Sequence, residues 1–278
     1  DAVRQIIDQQ ITEGAHGIIA AGSTGEWFSM TDDERIRLFE VCNEQVAGRR
    51  PLLAGTAAIG TDQAVALTRA AKKIGCDGCM VLPPPYALPS RREVIAHYKS
   101  IADVGLPIML YNYPGRTGVS MGEDYLDLVS KSPNIKAIKE ASGDINRLHL
   151  LANHYPGIEL SCGAEDQALE FFVWGATSWV TPMGNFFAEE VVALYDACVK
   201  QHDFVKARRI MAALLELTSV LEGGGQLIQC TKFACQLFDL PAGTVRPPLK
   251  PLPESDVDNL RVVLMSARSD IQALLAEA

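Results

Sequence analysis

Short apolar runs alternate along the chain with longer stretches in which apolar positions recur every three or four residues. The short runs are "HGIIAAG" (16–22), "PLLAGT" (51–56), "GCMVLPP" (78–84), "PIMLYN" (107–112), "IKAIKEA" (135–141), "IELSCG" (158–163) and "SWVTPM" (178–183). Continuous apolar character over so few residues predicts strands buried on both faces of a parallel sheet. The longer stretches predict helices. "TDDERIRLFEVCNEQV" opens with Thr31 as N-cap and Glu34 three residues on, a capping box. "TDQAVALTRAAKKIG" repeats the device and ends on Gly75 as C-cap. Residues 3–13, 165–174 and 188–199 also carry helical spacing. Beyond residue 183 the strands stop, and 187–222, 226–239 and 255–276 read as helices, the last preceded by the Pro-rich connector "PAGTVRPPLKPLPESD".

Strand–helix units repeating at roughly 25 to 30 residues fit a closed (β/α)8 barrel or an open doubly wound sheet. A barrel needs eight strands. Seven are visible, and the sequence opens on an amphipathic helix. The expectation is a (β/α)8 barrel over residues 1–200 whose first strand lies before Asp1, with a C-terminal helical extension, 201–278, packed on it.

Composition narrows the function classes. The 278 residues are 48% hydrophobic and 21% charged, ample for a core. The net charge of −9 disfavours nucleic acid and anionic lipid as partners. No apolar stretch approaches the roughly 20 residues that span a bilayer. "DAVRQIIDQQ" lacks the basic-then-apolar pattern of a secretory leader. The seven dispersed cysteines fit reduced core residues of a cytoplasmic protein.

On a barrel of this kind, reactive groups collect at the C-terminal ends of the strands. "AAGSTGEW" follows the first run: its glycines, Gly22 and Gly25, allow close backbone approach, and Ser23 and Thr24 offer hydroxyls and N–H groups to an anion. A tight strand-to-helix turn accounts for the same residues. "YNYPGRTGV" follows the fourth run. Arg116 has the fork geometry that grips a carboxylate, and Tyr111 at the strand end can relay a proton. In "IKAIKEA", Ile135, Ala137, Lys139 and Ala141 share one face, and Lys136, Ile138 and Glu140 the other. A buried lysine is uncommon without a partner or a task. Desolvation favours a neutral amine, the form that attacks a ketone to give a Schiff base. The position also suits a lysine that snorkels to the rim or pairs with Glu140 or Glu165.

With "GSTGE" at 22–26, "YNYPGRTG" at 111–118, "KEASG" at 139–143 and 28 residues from Tyr111 to Lys139, the sequence resembles the dihydrodipicolinate synthase/N-acetylneuraminate lyase family over about residues 1–250. The resemblance implies a class I, metal-free lyase that needs no cofactor, because Lys139 forms a covalent imine with pyruvate or another small 2-oxo acid. It implies that Tyr111 shuttles protons, that Thr24 links the phenol towards solvent, and that Ser23, Thr24 and Gly25 cradle the pyruvyl carboxylate. Arg116 would hold the second substrate's carboxylate, and Gly163 and Val180 would line the pocket floor. It further implies a homotetramer, a dimer of dimers. Departures leave the reaction open. "PPPYAL" displaces Tyr86 from the position of a tyrosine that reaches a neighbouring subunit's site, and Trp27 and Phe28 stand where synthases carry small residues; packing on the next helix is the expected role of both. Asp32, Arg35, Ile59 and the proline run occupy the positions of a lysine-binding cleft, so lysine feedback is not expected. A 4-hydroxy-tetrahydrodipicolinate synthase-like enzyme is the first reading. A dehydratase or aldolase of 2-oxo-3-deoxy sugar acids, or a deaminase of a hydroxyproline-derived pyrroline carboxylate, is the alternative. A non-catalytic 2-oxo acid sensor and a nicotinamide oxidoreductase fit less well: the first leaves the lysine and tyrosine idle, and the second needs a G-x-G-x-x-G that "GSTGEW" does not supply.

Other features carry little. Cys76–Cys79 has no second pair at metal spacing, the five histidines form no ligand cluster, and "EGGGQ" (222–226) reads as a turn between helices.

Overall fold

The computed structural model describes residues 1–277. Each apolar run holds a strand: β1 (Ile18–Ala20), β2 (Leu52–Gly55), β3 (Gly78–Val81), β4 (Ile108–Asn112), β5 (Ile135–Glu140), β6 (Glu159–Cys162) and β7 (Ser178–Trp179). They form one parallel sheet in sequence order, β1 to β7, without crossovers, the strand order of a (β/α)8 barrel-like fold. The helices are α1 (Ala2–Thr12), α2 (Asp32–Val46), α3 (Thr61–Ile74), α4 (Arg91–Ala102), α5 (Pro114–Thr117), α6 (Glu123–Val129), α7 (Ile145–His154), α8 (Ala168–Val173), α9 (Ala188–Tyr195), α10 (Phe204–Gly223), α11 (Leu227–Leu237) and α12 (Glu254–Ala276). No helix among the described residues is long and apolar enough to cross a membrane.

Two compact units emerge. One comprises Gly17–Ala164 and Trp174–Val180, and holds the whole sheet with α2 to α7. The other comprises Asp1–His16, Glu165–Val173 and Thr181–Ala278, and is helical. In the sheet unit, the outward residues of the strands pack under the helices. Ile108, Leu110 and Ile138 are fully buried there with Phe39, Leu67 and Ile101 of the helices. In the helical unit, Arg268 of α12 donates through Nε to the buried Glu190 of α9 at 3.0 Å and lies 4.0 Å over the Phe238 ring. Burial raises the Glu190 carboxyl above its usual range, with the Arg268 hydrogen bond opposing.

Helix ends follow local chemistry, with corrections to the expected boundaries. The Thr31–Glu34 capping box forms, and a second, not anticipated, forms at Ser90 and Glu93. Gly75 closes α3 in the left-handed conformation. Thr61 does not cap α3; Gly60 does, because the Thr61 hydroxyl is taken up by His97 Nδ1 at 2.9 Å. Residues 187–222, expected to be helical, fall into three pieces: α9, a π-helical turn at Asp196–Lys200, and α10. His202 turns left-handed at φ 55°, and Asp203 restarts the helix by accepting from the Lys206 N–H at 2.9 Å. The turn expected at "EGGGQ" lies between α10 and α11 at residues 224–226, with Glu222 and Gly223 ending α10.

His97 is buried, and its Nε2 lacks a hydrogen-bond partner among the described residues. Burial lowers its pKa from 6.5 to about 4. The folded state therefore binds this proton more weakly than the unfolded chain, and stability falls as pH drops from about 6.5 towards 4. Denaturant titrations at pH 7 and pH 5 are expected to differ by about 1–2 kcal/mol from this residue, and His97→Gln is expected to remove that part of the difference.

Candidate active site

The site is set by adjacent pairs on neighbouring strands. Tyr111 of β4 is in register with Lys139 of β5, and Asn112 with Glu140. Successive residues of a strand point to opposite faces, so each dipeptide splits its roles. Tyr111 and Lys139 share one face and Asn112 and Glu140 the other.

On the outer face, Glu140 is 1% exposed and fully engaged. Asn112 Nδ2 donates to both its oxygens at 2.9 Å, the Ser142 N–H donates at 2.8 Å, and Arg147 of α7 donates through Nε and Nη2 at 3.2 Å. Asn112 Oδ1 in turn accepts from the Met121 N–H at 3.0 Å. Glu140 is therefore not the partner of Lys139. Glu165, the other carboxylate considered for it, accepts a short hydrogen bond from Thr181 within the helical unit.

On the inner face, Lys139 is 7% exposed. No carboxylate pairs with it among the described residues; its Nζ lies 4.4 Å from the centroid of the Tyr111 ring. The Tyr111 and Tyr113 rings stack at 5.8 Å, and the Arg116 guanidinium sits 5.9 Å over Tyr113. Lysine, two phenols and arginine thus form one stack leading outward. Arg116 is exposed on the short α5, which Gly118 closes at φ 67°. Gly163 fits against the lysine: a Cβ there would stand 2.6 Å from Lys139 Cε and 2.8 Å from Cγ. Val180 packs on the cluster of Tyr111, Ala141, Leu82, Met80 and Ala57.

The "GSTGE" turn completes one wall. Ala21 and Glu26 take left-handed φ values of 54° and 56°, a strain of roughly 1–3 kcal/mol each. The main-chain N–H groups of Ser23 and Thr24 donate to no carbonyl among the described residues, leaving two donors for an anion. Gly25 is exposed at the tip. A small recess lies between Gly22, Ser23, Trp27, Met80, Leu82 and Tyr111. Trp27 thus does more than pack on the next helix: its ring carries the Arg35 guanidinium of α2 at 5.3 Å and faces the recess. Arg35 is 1% exposed and donates to the Gly55 carbonyl; burial lowers it to about 10, with Asp32 opposing.

Two expected associations are not made within this chain. No hydrogen bond joins the Thr24 hydroxyl to the Tyr111 phenol among the described residues. Tyr86 stands 90% exposed in the loop after β3, at φ 72°. The thiols of Cys76 and Cys79 are buried and pushed up to about 11 and about 12 by desolvation. Among the described residues no three histidine, cysteine or acidic side chains group as metal ligands.

Residues 1–267 match the Dihydrodipicolinate synthetase family. The chain belongs to that family. It is 36% identical over 247 residues to a 4-hydroxy-tetrahydrodipicolinate synthase of Exiguobacterium sibiricum, covering 88% of this chain and 84% of the relative. Among solved structures, the 4-hydroxy-tetrahydrodipicolinate synthase of Methylacidiphilum fumariolicum matches with a TM-score of 0.92 at 30% identity, over 99% of this chain and 92% of that one. The chloride-inhibited dihydrodipicolinate synthase of Acinetobacter baumannii, solved with pyruvate, matches with a TM-score of 0.90 at 29% identity, over 96% and 92%.

Glu140 and Asn112 lie within the "KEASG" and "YNYPGRTG" signatures but were given no catalytic role from the sequence; with Arg147 they fix the relative height of β4 and β5. Removing the carboxylate leaves Arg147 and Asn112 facing an apolar wall. Glu140→Ala is expected to cost about 3–5 kcal/mol in a denaturant titration, whereas Glu140→Gln, which keeps an acceptor, is expected to cost less.

Proposed function

We propose that the protein is a lyase of the 4-hydroxy-tetrahydrodipicolinate synthase type that forms a Schiff base between Lys139 and pyruvate or another small 2-oxo acid. The observation that carries this reading is the lysine itself: buried, without a carboxylate partner among the described residues, and held against a phenol near the C-terminal end of a parallel strand. The amine adds to the ketone carbon, and the resulting hydroxyl takes a proton and leaves as water. The iminium then acts as the electron sink: loss of a proton from the adjacent carbon gives an enamine, which adds to an electrophile or, in reverse, follows C–C cleavage. No metal or other cofactor is needed for that sink.

Tyr111 is the proton carrier in this reading, with Thr24 completing its route to solvent once substrate or water bridges them. The Ser23 and Thr24 N–H groups and Gly25 receive the carboxylate of the imine, Arg116 receives that of the second substrate, and Gly163 and Val180 form the floor. The strands are taken as seven of the eight of a closed barrel, with α10, α11 and α12 as its C-terminal extension. Assembly as a homotetramer is supported by the exposed apolar side chains Ile59, Tyr86 and Leu88. Seven buried free thiols support a cytoplasmic setting. A second reading keeps the imine and changes its partner, to a 2-oxo-3-deoxy sugar acid or a pyrroline carboxylate. It is favoured by Trp27, which narrows the recess where the family's synthases were expected to be open.

Borohydride reduction in the presence of pyruvate, followed by peptide mapping, is expected to place a reduced pyruvyl adduct on Lys139 and none in Lys139→Ala. An unmodified Lys139 in folded protein would sink the reading. Gly163→Ala, which displaces the lysine stem, is expected to fold and to lose about 100-fold in kcat/KM for whichever second substrate the screen identifies.

A further inference from the structure

Tyr113 has no task in the scheme above, yet it is the residue that Arg116 rests on. The main chain under Arg116 is held at both ends of α5. The Tyr113 carbonyl accepts from the N–H of Arg116 at 3.0 Å, from the N–H of Thr117 at 3.1 Å and from the Thr117 hydroxyl at 3.1 Å. At the other end Gly118 turns left-handed, and Leu88 Cδ2 fills the space that a Cβ there would need. What stays free is the Arg116 side chain. It is exposed, and no carboxylate pairs with it among the described residues. Its guanidinium lies 5.9 Å from the centroid of the Tyr113 ring. That ring is itself held. It packs on the buried cluster that includes Tyr111, Met80 and Leu82, and stacks on the Tyr111 ring at 5.8 Å and 27°. It also lies against the first turn of α5, with the Cβ position of Gly115 3.5 Å from its Cε2. These contacts are made by the ring and the main chain; none needs the hydroxyl.

We propose that Tyr113 is a positioning residue: its ring is the platform that holds the Arg116 guanidinium beside the Tyr111 end of the site, and through it the protein prefers electrophiles that end in a carboxylate. The proposal rests on the reading in which Arg116 receives the second substrate's carboxylate. A surface arginine samples many rotamers, and fixing one of them costs binding free energy. The negative face of a ring attracts the guanidinium and limits where it goes. Part of the ordering is then complete on folding, before the carboxylate arrives. A guanidinium held by its face also keeps its N–H edge for a bidentate partner. Tyr113 acts through Arg116 rather than on the reacting carbons.

The test compares two aldehydes of equal chain length, 4-oxobutanoate and butanal. Each is offered with pyruvate to wild type, Tyr113→Leu, Tyr113→Phe, Arg116→Ala and the Tyr113→Leu/Arg116→Ala double variant; aldehyde consumption and thermal unfolding are measured for all. Wild type is expected to prefer 4-oxobutanoate, and Arg116→Ala to lose that preference. Tyr113→Leu, which keeps an apolar side chain on the cluster, is expected to raise KM for 4-oxobutanoate about threefold, with kcat and the KM for butanal unmoved. Tyr113→Phe, which keeps the ring, is expected to match wild type. In the Arg116→Ala background Tyr113→Leu is expected to add nothing, because both changes remove one contact. An unchanged KM in Tyr113→Leu would overturn the proposal. So would an equal loss on both aldehydes, a loss that Tyr113→Phe does not restore, an effect that survives in Arg116→Ala, or failure of Tyr113→Leu to fold, since each marks a structural role. A wild type that consumes both aldehydes alike, or neither, overturns the carboxylate role of Arg116, and this proposal falls with it. Borohydride trapping of pyruvate on wild-type Lys139, run alongside, tells that outcome from failure of the Schiff-base reading, in which no adduct forms.

Discussion

The buried carboxylate of Glu140 holds the ends of β4 and β5 at one height. It does so from the face opposite Tyr111 and Lys139, by accepting from Nε and Nη2 of Arg147 and from the amide of Asn112. Strand side chains alternate with a period of two, so a slip of one residue between these strands would carry a reactive group to the wrong face. A carboxylate satisfied by several directed donors tolerates no such slip. The tyrosine–lysine approach on the inner face is thus fixed by polar contacts on the outer one. This is why the two dipeptides, Tyr-Asn and Lys-Glu, work as units.

The two faces are also dielectrically distinct. Outside, charge is balanced before it is buried: Arg147 meets Glu140, and every oxygen has a donor. Inside, no carboxylate pairs with Lys139 among the described residues, and the Tyr111 ring lies beside its Nζ, with apolar Met80, Leu82 and Ala141 around that ring. The fold leaves the Lys139 amine without a carboxylate beside it among the described residues.

Much of this was legible in the sequence. Parallel strands buried on both faces leave uninterrupted apolar runs, and each run proved to hold a strand. Lys139, Tyr111 and Gly163 were placed because a strand end and a side-chain parity suffice to bring them together. Tertiary partners were less legible. Thr61 looks like a cap by local rules, but His97, 36 residues on, claims its hydroxyl. The break at residues 201–203 lies inside an amphipathic pattern that continues on both sides of it. Arg147 has no signature of its own, since its reach to Glu140 depends on how the loop after β5 turns. Trp27 was read as helix packing, and its contact with Arg35 of α2 bears that out; its place beside the recess could be seen only once β3 and β4 stood opposite.

The buried guanidinium of Arg35 has a consequence for altering what the recess admits. It ties the Trp27 ring to the Gly55 carbonyl, and a Cβ at Gly55 would stand 2.0 Å from the Ala21 oxygen. Wall, helix and turn are therefore one mechanical piece. A library that varies Trp27 alone would leave a charge stranded in the core, and many of its members would be lost to misfolding rather than to altered selectivity. Randomising positions 27 and 35 jointly, while leaving 21 and 55 alone, samples recess shapes that the scaffold can carry.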